Sequence, residues 1–289
     1  MQNPEFAFQG EMDPEAGSLR IAVLQATSRP GDPEANLATV AGWAQEAARR
    51  GAGLLVTPEL FVPGYDPPSV SARDGDDHRR RLAGIAVESG IGLVASTVEH
   101  RGESRHICAS LFDEVGIELT RYRKSHLFGP VEGTWFQPGD ELPETVEFHG
   151  LKVALGICFD AEFPEFVRSA ALRGAELLCV PTAVPLRPNT RTGPTPFDVS
   201  VVPTVLIRAR AIESQLFIAY ADQAEPGFAG LSTLATPFGE AETATAASGE
   251  LILGTVDGAV VARARSEVDY LEVVRGRTAS SQASSSTGS

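Results

Sequence analysis

The chain has 289 residues, 43% of them hydrophobic and 21% charged, a composition typical of a globular protein with a sizeable core. No apolar run approaches the roughly 18 residues that a membrane helix needs, so we expect no membrane-spanning segment. The formal net charge of −14 argues against a nucleic-acid partner, because phosphate would repel such a surface.

Residues 1–18 are acidic and lack the apolar stretch of a signal peptide, so we expect them to be a disordered extension. The three cysteines, Cys108, Cys158 and Cys179, are too few and too odd in number for a disulfide framework. Together these features predict a cytoplasmic protein, in which a free thiol can serve as a nucleophile.

Apolar runs alternate with amphipathic stretches along the chain, which predicts sheets covered by helices. Asp32 and Pro33 are typical of a helix start, since Asp caps and Pro suits the first turn. In the first half, we predict helices over 33–50 and 77–89. We predict strands over 20–26, 53–58, 92–98, 107–112 and 117–122.

The second half continues the alternation and contains one unusual segment. Residues 183–202 are rich in Pro, Thr and Arg and form a candidate binding loop. Helices are predicted over 164–173, 204–214 and 260–274, and strands over 153–157, 217–221, 232–235 and 251–256. We expect one folded domain over 19–275 and a flexible Ser/Thr/Gly-rich tail over 276–289.

A nine-residue pattern occurs twice. Residues 50–58 and 173–181 share R-G-A-x-L-L-x-x-P, and each copy follows a predicted helix. A glycine stop after a helix explains part of the pattern but not all of it. The repeat therefore predicts two related halves, stacked as two sheets with helices outside.

Cys158 stands between the predicted strand VALGI and a turn into a helix. Such a junction presents side chains at the edge of a sheet, and its backbone N–H groups can donate to an oxyanion. Cys108 and Cys179 are embedded in apolar strands and fit the core. Position alone leaves Cys158 open as either a nucleophile or a core residue.

A thiol, with an ordinary pKa of about 8.5, needs a base or a cation to become a good nucleophile. His126 is the one suitable histidine and would give a Cys–His thiol hydrolase. The alternative is a carboxylate with an ammonium, since Glu59 and Lys124 each end a predicted strand. Lys124 stands out because Lys152 is the chain's sole other lysine.

Three segments stand out together: P-E at 58–59, Y-R-K-S-H-L at 122–127 and G-I-C-F-D-A-E-F-P-E at 156–165. They resemble the signature segments of the nitrilase superfamily of carbon–nitrogen hydrolases. R-A-x-x-x-E at 208–213 and G-x-S-x-x-x-x-P-x-G at 230–239 extend the similarity to roughly 19–275.

The resemblance implies an α/β fold, a four-layer αββα sandwich of two β-sheets flanked by helices, that forms a homodimer or higher homo-oligomer. It implies that Glu59 is the general base, Lys124 the oxyanion stabiliser and Cys158 the nucleophile. The Phe159 N–H would be a second oxyanion donor, and Glu132 a further carboxylate. No metal and no organic cofactor is expected.

The residues after the cysteine bear on the substrate. True nitrilases usually read C-W-E, whereas this chain reads C-F-D at 158–160, which favours an amidase. The predicted pocket residues are mostly apolar or small, and they suit small primary amides, aliphatic or aromatic with aliphatic favoured, better than charged ureido acids. They are Phe61, Tyr65, Trp135, Phe159, Thr182 and Ala183.

Three alternatives stay open. An N-carbamoyl amide hydrolase would need a cation for the substrate carboxylate, for which Arg187 or Arg191 could serve. A nitrilase and a non-catalytic binding module with the same fold are the others. Asp222 is a second departure, because relatives often carry asparagine there, and the sequence assigns it no role.

Overall fold

The computed structural model describes residues 17–186, 197–224 and 226–276, together with the backbone of 189–190 and 193–194. The remaining parts of both predicted tails, 1–16 and 277–289, lie outside the described residues. So do Arg187 and Arg191 of the candidate binding loop.

The first sheet contains six strands, which are β1 (Ser18–Gln25), β2 (Leu54–Val56), β3 (Gly92–Arg101), β4 (Ser104–Phe112), β5 (Glu118–Arg123) and β14 (Glu250–Asp257). Their order is β14-β1-β2-β3-β4-β5. β1, β2 and β3 run parallel, and the remaining neighbours pair antiparallel. The strands predicted over 107–112 and 117–122 correspond to β4 and β5, which pair antiparallel.

The second sheet repeats this plan with β6 (Thr145–Phe148), β7 (Leu151–Leu155), β8 (Leu177–Pro181), β11 (Phe217–Ala221), β12 (Thr233–Ala235) and β13 (Ala241–Thr243). The order is β13-β12-β11-β8-β7-β6, with β7, β8 and β11 parallel. The backbones of β9 (Asn189–Thr190) and β10 (Gly193–Pro194) form a separate two-stranded ladder.

The helices are α1 (Pro33–Arg49), α2 (Pro67–Val70), α3 (Asp76–Ser89), α4 (Gly129–Trp135), α5 (Pro164–Leu172), α6 (Ile207–Ser214) and α7 (Gly258–Glu267). α1 begins as predicted, since Asp32 Oδ1 accepts the Ala35 N–H at 3.1 Å and Pro33 opens the helix. No helix within the described ranges has the length and apolarity to cross a bilayer.

Two apolar cores hold the layers together. One joins the outer face of the first sheet to α1 and α3 through residues such as Leu37, Leu82 and Leu93. The larger one contains residues of both sheets and of α5 and α6. The layers therefore run helix, sheet, sheet, helix, and the prediction of an αββα sandwich is confirmed.

The repeated pattern supplies β2 and β8, and each is the middle strand of the parallel trio of its own sheet. Buried strands of this kind read as continuous apolar runs because both faces are covered. The two copies thus occupy corresponding positions, and the residues that follow them face each other across the sandwich.

The helix predicted over 260–274 is interrupted. α7 ends at Glu267, because Val268 is extended with φ −139° and ψ 127°, and the chain is helical again over 270–276. α2, α4, β6, β9, β10 and β13 were not predicted from the sequence. α4 contains two glycines and a proline in seven residues, so its local helix propensity is poor.

Candidate active site

The nucleophile candidate lies on a sharp turn after β7. Cys158 opens a 3₁₀ turn over Cys158–Glu162 and has a φ of +46°, in the left-handed region that a non-glycine residue rarely adopts. Such a conformation costs on the order of 1–3 kcal/mol and persists only where surrounding contacts hold it. The Cys158 side chain is buried, with 3% of the residue exposed.

Glu59 lies between the two sheets, three residues beyond the end of β2, and is fully buried. Its backbone N–H donates to the Thr182 carbonyl at 3.0 Å, just after β8. Its own carbonyl accepts from Gln223 Nε2, also at 3.0 Å. Both backbone groups of Glu59 are thus bonded to the second sheet, which fixes where its carboxylate can lie.

Lys124 follows β5 directly and is fully buried as well. Its ammonium Nζ donates to Glu59 Oε1 at 2.8 Å and to Glu132 Oε1 at 2.9 Å. A buried ammonium is tolerable only when it is paired in this way. The structure therefore brings these three predicted residues together.

Glu132, on α4, has both carboxylate oxygens occupied. Oε1 also accepts from the Tyr65 hydroxyl at 2.6 Å, and Oε2 accepts the Phe128 N–H at 2.7 Å. A carboxylate whose two oxygens both accept from fixed donors is well placed to hold Lys124.

The two carboxylate oxygens of Glu59 differ in their hydrogen bonding, because Oε1 accepts from Lys124. Glu59 Oε2 is buried and has no partner at ordinary hydrogen-bond geometry within the described part of the chain. The Cys158 thiol nevertheless interacts with this carboxylate and lowers its pKa. An unpaired carboxylate oxygen beside a thiol is free to accept the thiol proton.

Burial dominates the electrostatics of this cluster. Burial, with the neighbouring Glu132 charge, raises the pKa of Glu59 to about 8, although Lys124 opposes the shift. Burial also raises the pKa of Cys158 well above its usual value, and the Glu59 charge adds to this effect. Lys124 and the Ala183 N–H act in the opposite sense. The thiol therefore stays protonated until a base removes its proton.

Burial alone would lower the pKa of Lys124. The neighbouring acidic groups Glu59, Cys158 and Glu132 outweigh burial and raise the pKa above the usual lysine value. Lys124 consequently remains an ammonium, a fixed positive charge with hydrogens to donate.

His126 is engaged elsewhere. Its Nδ1 lies 2.8 Å from Asp160 Oδ1, and its ring stacks on Phe163 with centroids 4.2 Å apart. The groups that shift the Cys158 pKa are those of the carboxylate–ammonium cluster. The geometry thus favours Glu59 over His126 as the base. Asp160 accepts a hydrogen bond from the His126 N–H. It was not predicted as a site residue, although it lies in one of the three segments that carry the family resemblance.

Three of the predicted pocket residues lie at the site. Tyr65 donates to Glu132 and packs edge-on against Phe228, with centroids 5.7 Å apart. Thr182 accepts the Glu59 N–H, and the Ala183 N–H faces the Cys158 sulfur.

Phe159 follows the nucleophile candidate in the same turn. Its half-buried ring meets Phe128 and Phe163 edge-on, at centroid distances of 5.2 and 4.9 Å. The ring therefore belongs to an aromatic group beside the site, while its backbone is next to Cys158.

Phe61 belongs to the core on the helix side of the first sheet, and Trp135 is exposed at the end of the helix that carries Glu132. Phe61 packs in the core between the first sheet and its helices, whereas Tyr65 and Cys158 belong to the core between the sheets. The cause is local, because Leu60 has a φ of +47° and the chain reverses there. Trp135 ends α4 with 39% of its surface exposed.

Asp222, the unexplained departure, is fully buried one residue beyond β11. Its Oδ1 accepts the Val184 N–H at 2.9 Å, which holds the segment that carries Thr182 and Ala183. Burial raises its pKa well above the usual aspartate value. Among the described residues, no group of three or more His, Cys, Asp or Glu side chains is arranged to hold a metal ion.

Comparison with known proteins fits this geometry. The sequence profile described as Carbon-nitrogen hydrolase matches residues 20–266. The chain belongs to the carbon–nitrogen hydrolase family. The recognition of the nitrilase superfamily, and with it the prediction of a carbon–nitrogen hydrolase, is confirmed.

Curated relatives of this carbon–nitrogen hydrolase include a hydrolase in the pqqF 5′ region of Pseudomonas protegens. It is 34% identical over 265 residues, and the match covers 88% of each chain. An omega-amidase of Mus musculus is 30% identical over 275 residues, covering 89% of this chain and 94% of the relative.

Solved structures of an amidase from Nesterenkonia sp. AN1 are also similar. A cysteine-to-alanine mutant is 36% identical with a TM-score of 0.81, covering 93% of this chain and 98% of the other. A glutamate-to-glutamine mutant is 37% identical, with a TM-score of 0.79 and coverage of 91% and 96%. It shows covalent addition of the acetamide moiety of fluoroacetamide at the active site cysteine.

Proposed function

We propose that this carbon–nitrogen hydrolase is an amidase that converts small, neutral primary amides, aliphatic ones above all, to a carboxylic acid and ammonia. One observation carries the proposal: the Cys158 thiol lies beside a carboxylate with an unpaired oxygen, and the same carboxylate pairs with a buried ammonium. A nucleophile, a base and a fixed positive charge are the parts that acyl transfer needs.

In the acylation step, Glu59 Oε2 takes the Cys158 proton and the sulfur attacks the amide carbonyl carbon. The carbonyl oxygen becomes an oxyanion, which Lys124 Nζ and the Phe159 N–H stabilise. Glu59 then gives its proton to the nitrogen, the carbon–nitrogen bond breaks, and ammonia leaves. The acyl group remains on sulfur as a thioester.

In the deacylation step, Glu59 removes a proton from water and the hydroxide oxygen attacks the thioester carbon. The same two donors stabilise the second oxyanion. The carbon–sulfur bond breaks, the acid leaves and Cys158 regains its proton.

Glu132 acts through Lys124 in this scheme. Because Tyr65 and Phe128 occupy its oxygens, Glu132 cannot move without losing bonds. It therefore fixes the direction of the ammonium, and it keeps Lys124 charged when Glu59 becomes neutral by taking the proton.

Charge and burial support a small, neutral acyl group. The described cluster has one cation against the carboxylates Glu59 and Glu132, so an anionic substrate would meet repulsion. Cys158 is only 3% exposed, which leaves little space around the sulfur. Amidases among the similar proteins support the same reaction class.

Ammonia release over a panel of propionamide, benzamide, N-carbamoyl amino acids and propionitrile tests the proposal. We expect fastest release from propionamide and none from the Cys158→Ala variant, with Cys108→Ala as a matched control that keeps activity. Faster release from the carbamoyl compounds would make the protein a carbamoyl amide hydrolase. Ammonia from the nitrile and none from the amides would disprove an amidase.

A covalent adduct tests the nucleophile separately. Fluoroacetamide is incubated with the Glu59→Gln variant, and the intact mass is measured. We expect one acetamide group per chain, which disappears in Glu59→Gln/Cys158→Ala and persists in Glu59→Gln/Cys108→Ala. An adduct that persists in Glu59→Gln/Cys158→Ala would show that Cys158 is not the nucleophile.

A further inference from the structure

Asp160 is a fully buried carboxylate that collects hydrogen bonds from three separate places. Oδ2 accepts from the Ile157 N–H at 3.1 Å and from the Tyr122 hydroxyl at 3.0 Å. Oδ1 accepts from the His126 N–H at 2.9 Å and lies 2.8 Å from His126 Nδ1. Each oxygen thus faces two groups, and the carboxylate is saturated.

The donors flank the reacting groups. Ile157 comes directly before Cys158, and its bond to Asp160 closes the turn in which Cys158 adopts its positive φ. Tyr122 and His126 lie two residues to either side of Lys124. Asp160 therefore connects the turn that carries the sulfur to the strand end that carries the ammonium.

The segment around Lys124 is fixed further by Tyr122. Its hydroxyl, besides donating to Asp160, accepts the Ser125 N–H at 3.0 Å and lies 2.7 Å from Ser125 Oγ. The chain from Tyr122 to His126 is thus bonded at both ends to one buried carboxylate. Movement of either end would shift Lys124 relative to the sulfur.

We propose that Asp160 is a positioning residue that sets the distance between the Cys158 sulfur and the Lys124 ammonium, with Tyr122 and His126 as its donors. The inference rests on the proposed function. In this scheme His126 takes no proton from the thiol, because its Nδ1 is turned to Asp160 and its ring lies on Phe163.

Asp160→Asn is the decisive variant. The Asn side chain keeps one oxygen, but an amide NH2 group replaces the other and cannot accept a hydrogen bond. At least one of the hydrogen bonds that link the Cys158 turn to the segment around Lys124 must therefore break. A displacement of about 1 Å at a reacting group can cost about 100-fold in rate. We therefore expect kcat for propionamide to fall about 100-fold while KM changes little, since no substrate contact is lost.

Two milder variants each remove one donor and keep the ring. Tyr122→Phe loses the hydroxyl, and His126→Phe keeps a ring over Phe163 but loses Nδ1. Each should lower kcat by about 10-fold, the factor that corresponds to one ordinary hydrogen bond. Matched controls are Asp113→Asn, in the turn between β4 and β5, and Tyr270→Phe, which is exposed. Both should leave kcat unchanged.

The rate of Cys158 alkylation by iodoacetamide is measured in the same variants, together with the melting temperature. We expect Asp160→Asn to slow alkylation strongly, whereas loss of stability alone would lower the melting temperature and leave the folded enzyme's alkylation rate unchanged. Should Asp160→Asn fail to fold, Tyr122→Phe and His126→Phe still decide the question.

Normal kcat and normal alkylation in folded Asp160→Asn, or in both milder variants, would overturn the inference and leave the amidase proposal standing. Loss of all turnover in His126→Phe with normal Tyr122→Phe would also overturn it, since His126 would then be the base. If the wild-type protein releases no ammonia from any amide, the proposed function fails, while alkylation still reports whether Asp160 positions the sulfur.

Discussion

At the scale of single residues, the site depends on three strand ends and one short helix. Glu59, Lys124 and Cys158 could be selected from the sequence because each polar group follows a predicted strand, although the strand before Lys124 is itself mostly polar. Glu132 could not, since α4 has no apolar periodicity; the resemblance alone pointed to it. Asp160 lies in a segment that the resemblance covers, but no role could be assigned to it from the sequence. Its hydrogen-bond donors, Tyr122 and His126, are distant along the chain, and only the structure shows that they reach it.

The direction of a predicted pocket side chain could not be read from the sequence. Phe61 was predicted as an apolar pocket residue, but Leu60 before it has a φ of +47°, and the Phe61 ring packs in the core on the helix side of the first sheet. A single residue in the left-handed region changes which face the next side chain takes, and nothing in the local sequence marks it.

The role of Glu59 gives a first prediction. Glu59→Gln keeps the size and the Lys124 contact but removes the proton acceptor, so kcat for propionamide should fall by about 10²–10⁴-fold. Ammonia release measures it. Glu165→Gln, an exposed glutamate in the recognised segment after the nucleophile, is the control and should match wild type. A Glu59→Gln variant with near-normal kcat would remove Glu59 from the mechanism.

The pH dependence of kcat/KM is a second prediction. Glu59 acts as a base only when ionised, and its pKa is raised to about 8. The rate should therefore rise with pH through the neutral range and level off above about 8. In Glu132→Gln the rise should move to lower pH, because the Glu132 charge contributes to the shift. A wild-type rise near the ordinary glutamate pKa of about 4.3 would contradict the assignment.

At the scale of elements, the repeat explains how the site is assembled. β2 and β8 are the same pattern used twice, and the bond between Glu59 and Thr182 joins the residues that follow them. Element order and most strand positions could be predicted, because buried strands have a strong apolar signal. Helix ends were less certain, since the end of α7 depends on one extended residue, Val268.

The packing behind the nucleophile turn gives a third prediction. A Cβ on Gly156 would lie 2.8 Å from the Phe166 ring of α5. Gly156→Ala should therefore destabilise the fold by about 1–3 kcal/mol and lower kcat, because the displaced turn carries Cys158. Urea unfolding and ammonia release measure the two effects. Gly84→Ala in α3, where a Cβ meets nothing within 4 Å, should leave kcat unchanged.

At the scale of the whole molecule, we propose a homodimer, as the family resemblance implies. The described surface carries exposed apolar side chains on and near α6, including Val205 at 62% and Ile212 at 41% exposure. Sedimentation velocity measures the state. We expect Val205→Asp to shift the protein toward monomer and Val115→Asp, at the β4–β5 turn, to leave it unchanged. A monomeric wild type at micromolar concentration would refute the proposal.

The buried Glu59 should also make the free energy of unfolding of the whole protein depend on pH. Burial raises the pKa of Glu59 to about 8, so between the ordinary value and 8 the folded state holds a proton that the unfolded state has released. Stability then falls as pH rises across that window, by no more than about 1.4 kcal/mol per pH unit for one group. Glu59→Gln removes this term.

The variant's melting temperature relative to wild type should therefore increase as pH is raised from 5 toward 8, even if the altered contact with Lys124 lowers it by a constant amount. Asp222, whose pKa is raised mainly by burial, contributes the same sign in both proteins, and only the smaller contribution of the Glu59 charge to that shift is lost in the variant. Melting curves of the two proteins across this range measure it. A difference that does not change with pH would mean that Glu59 is ionised throughout, held so by Lys124.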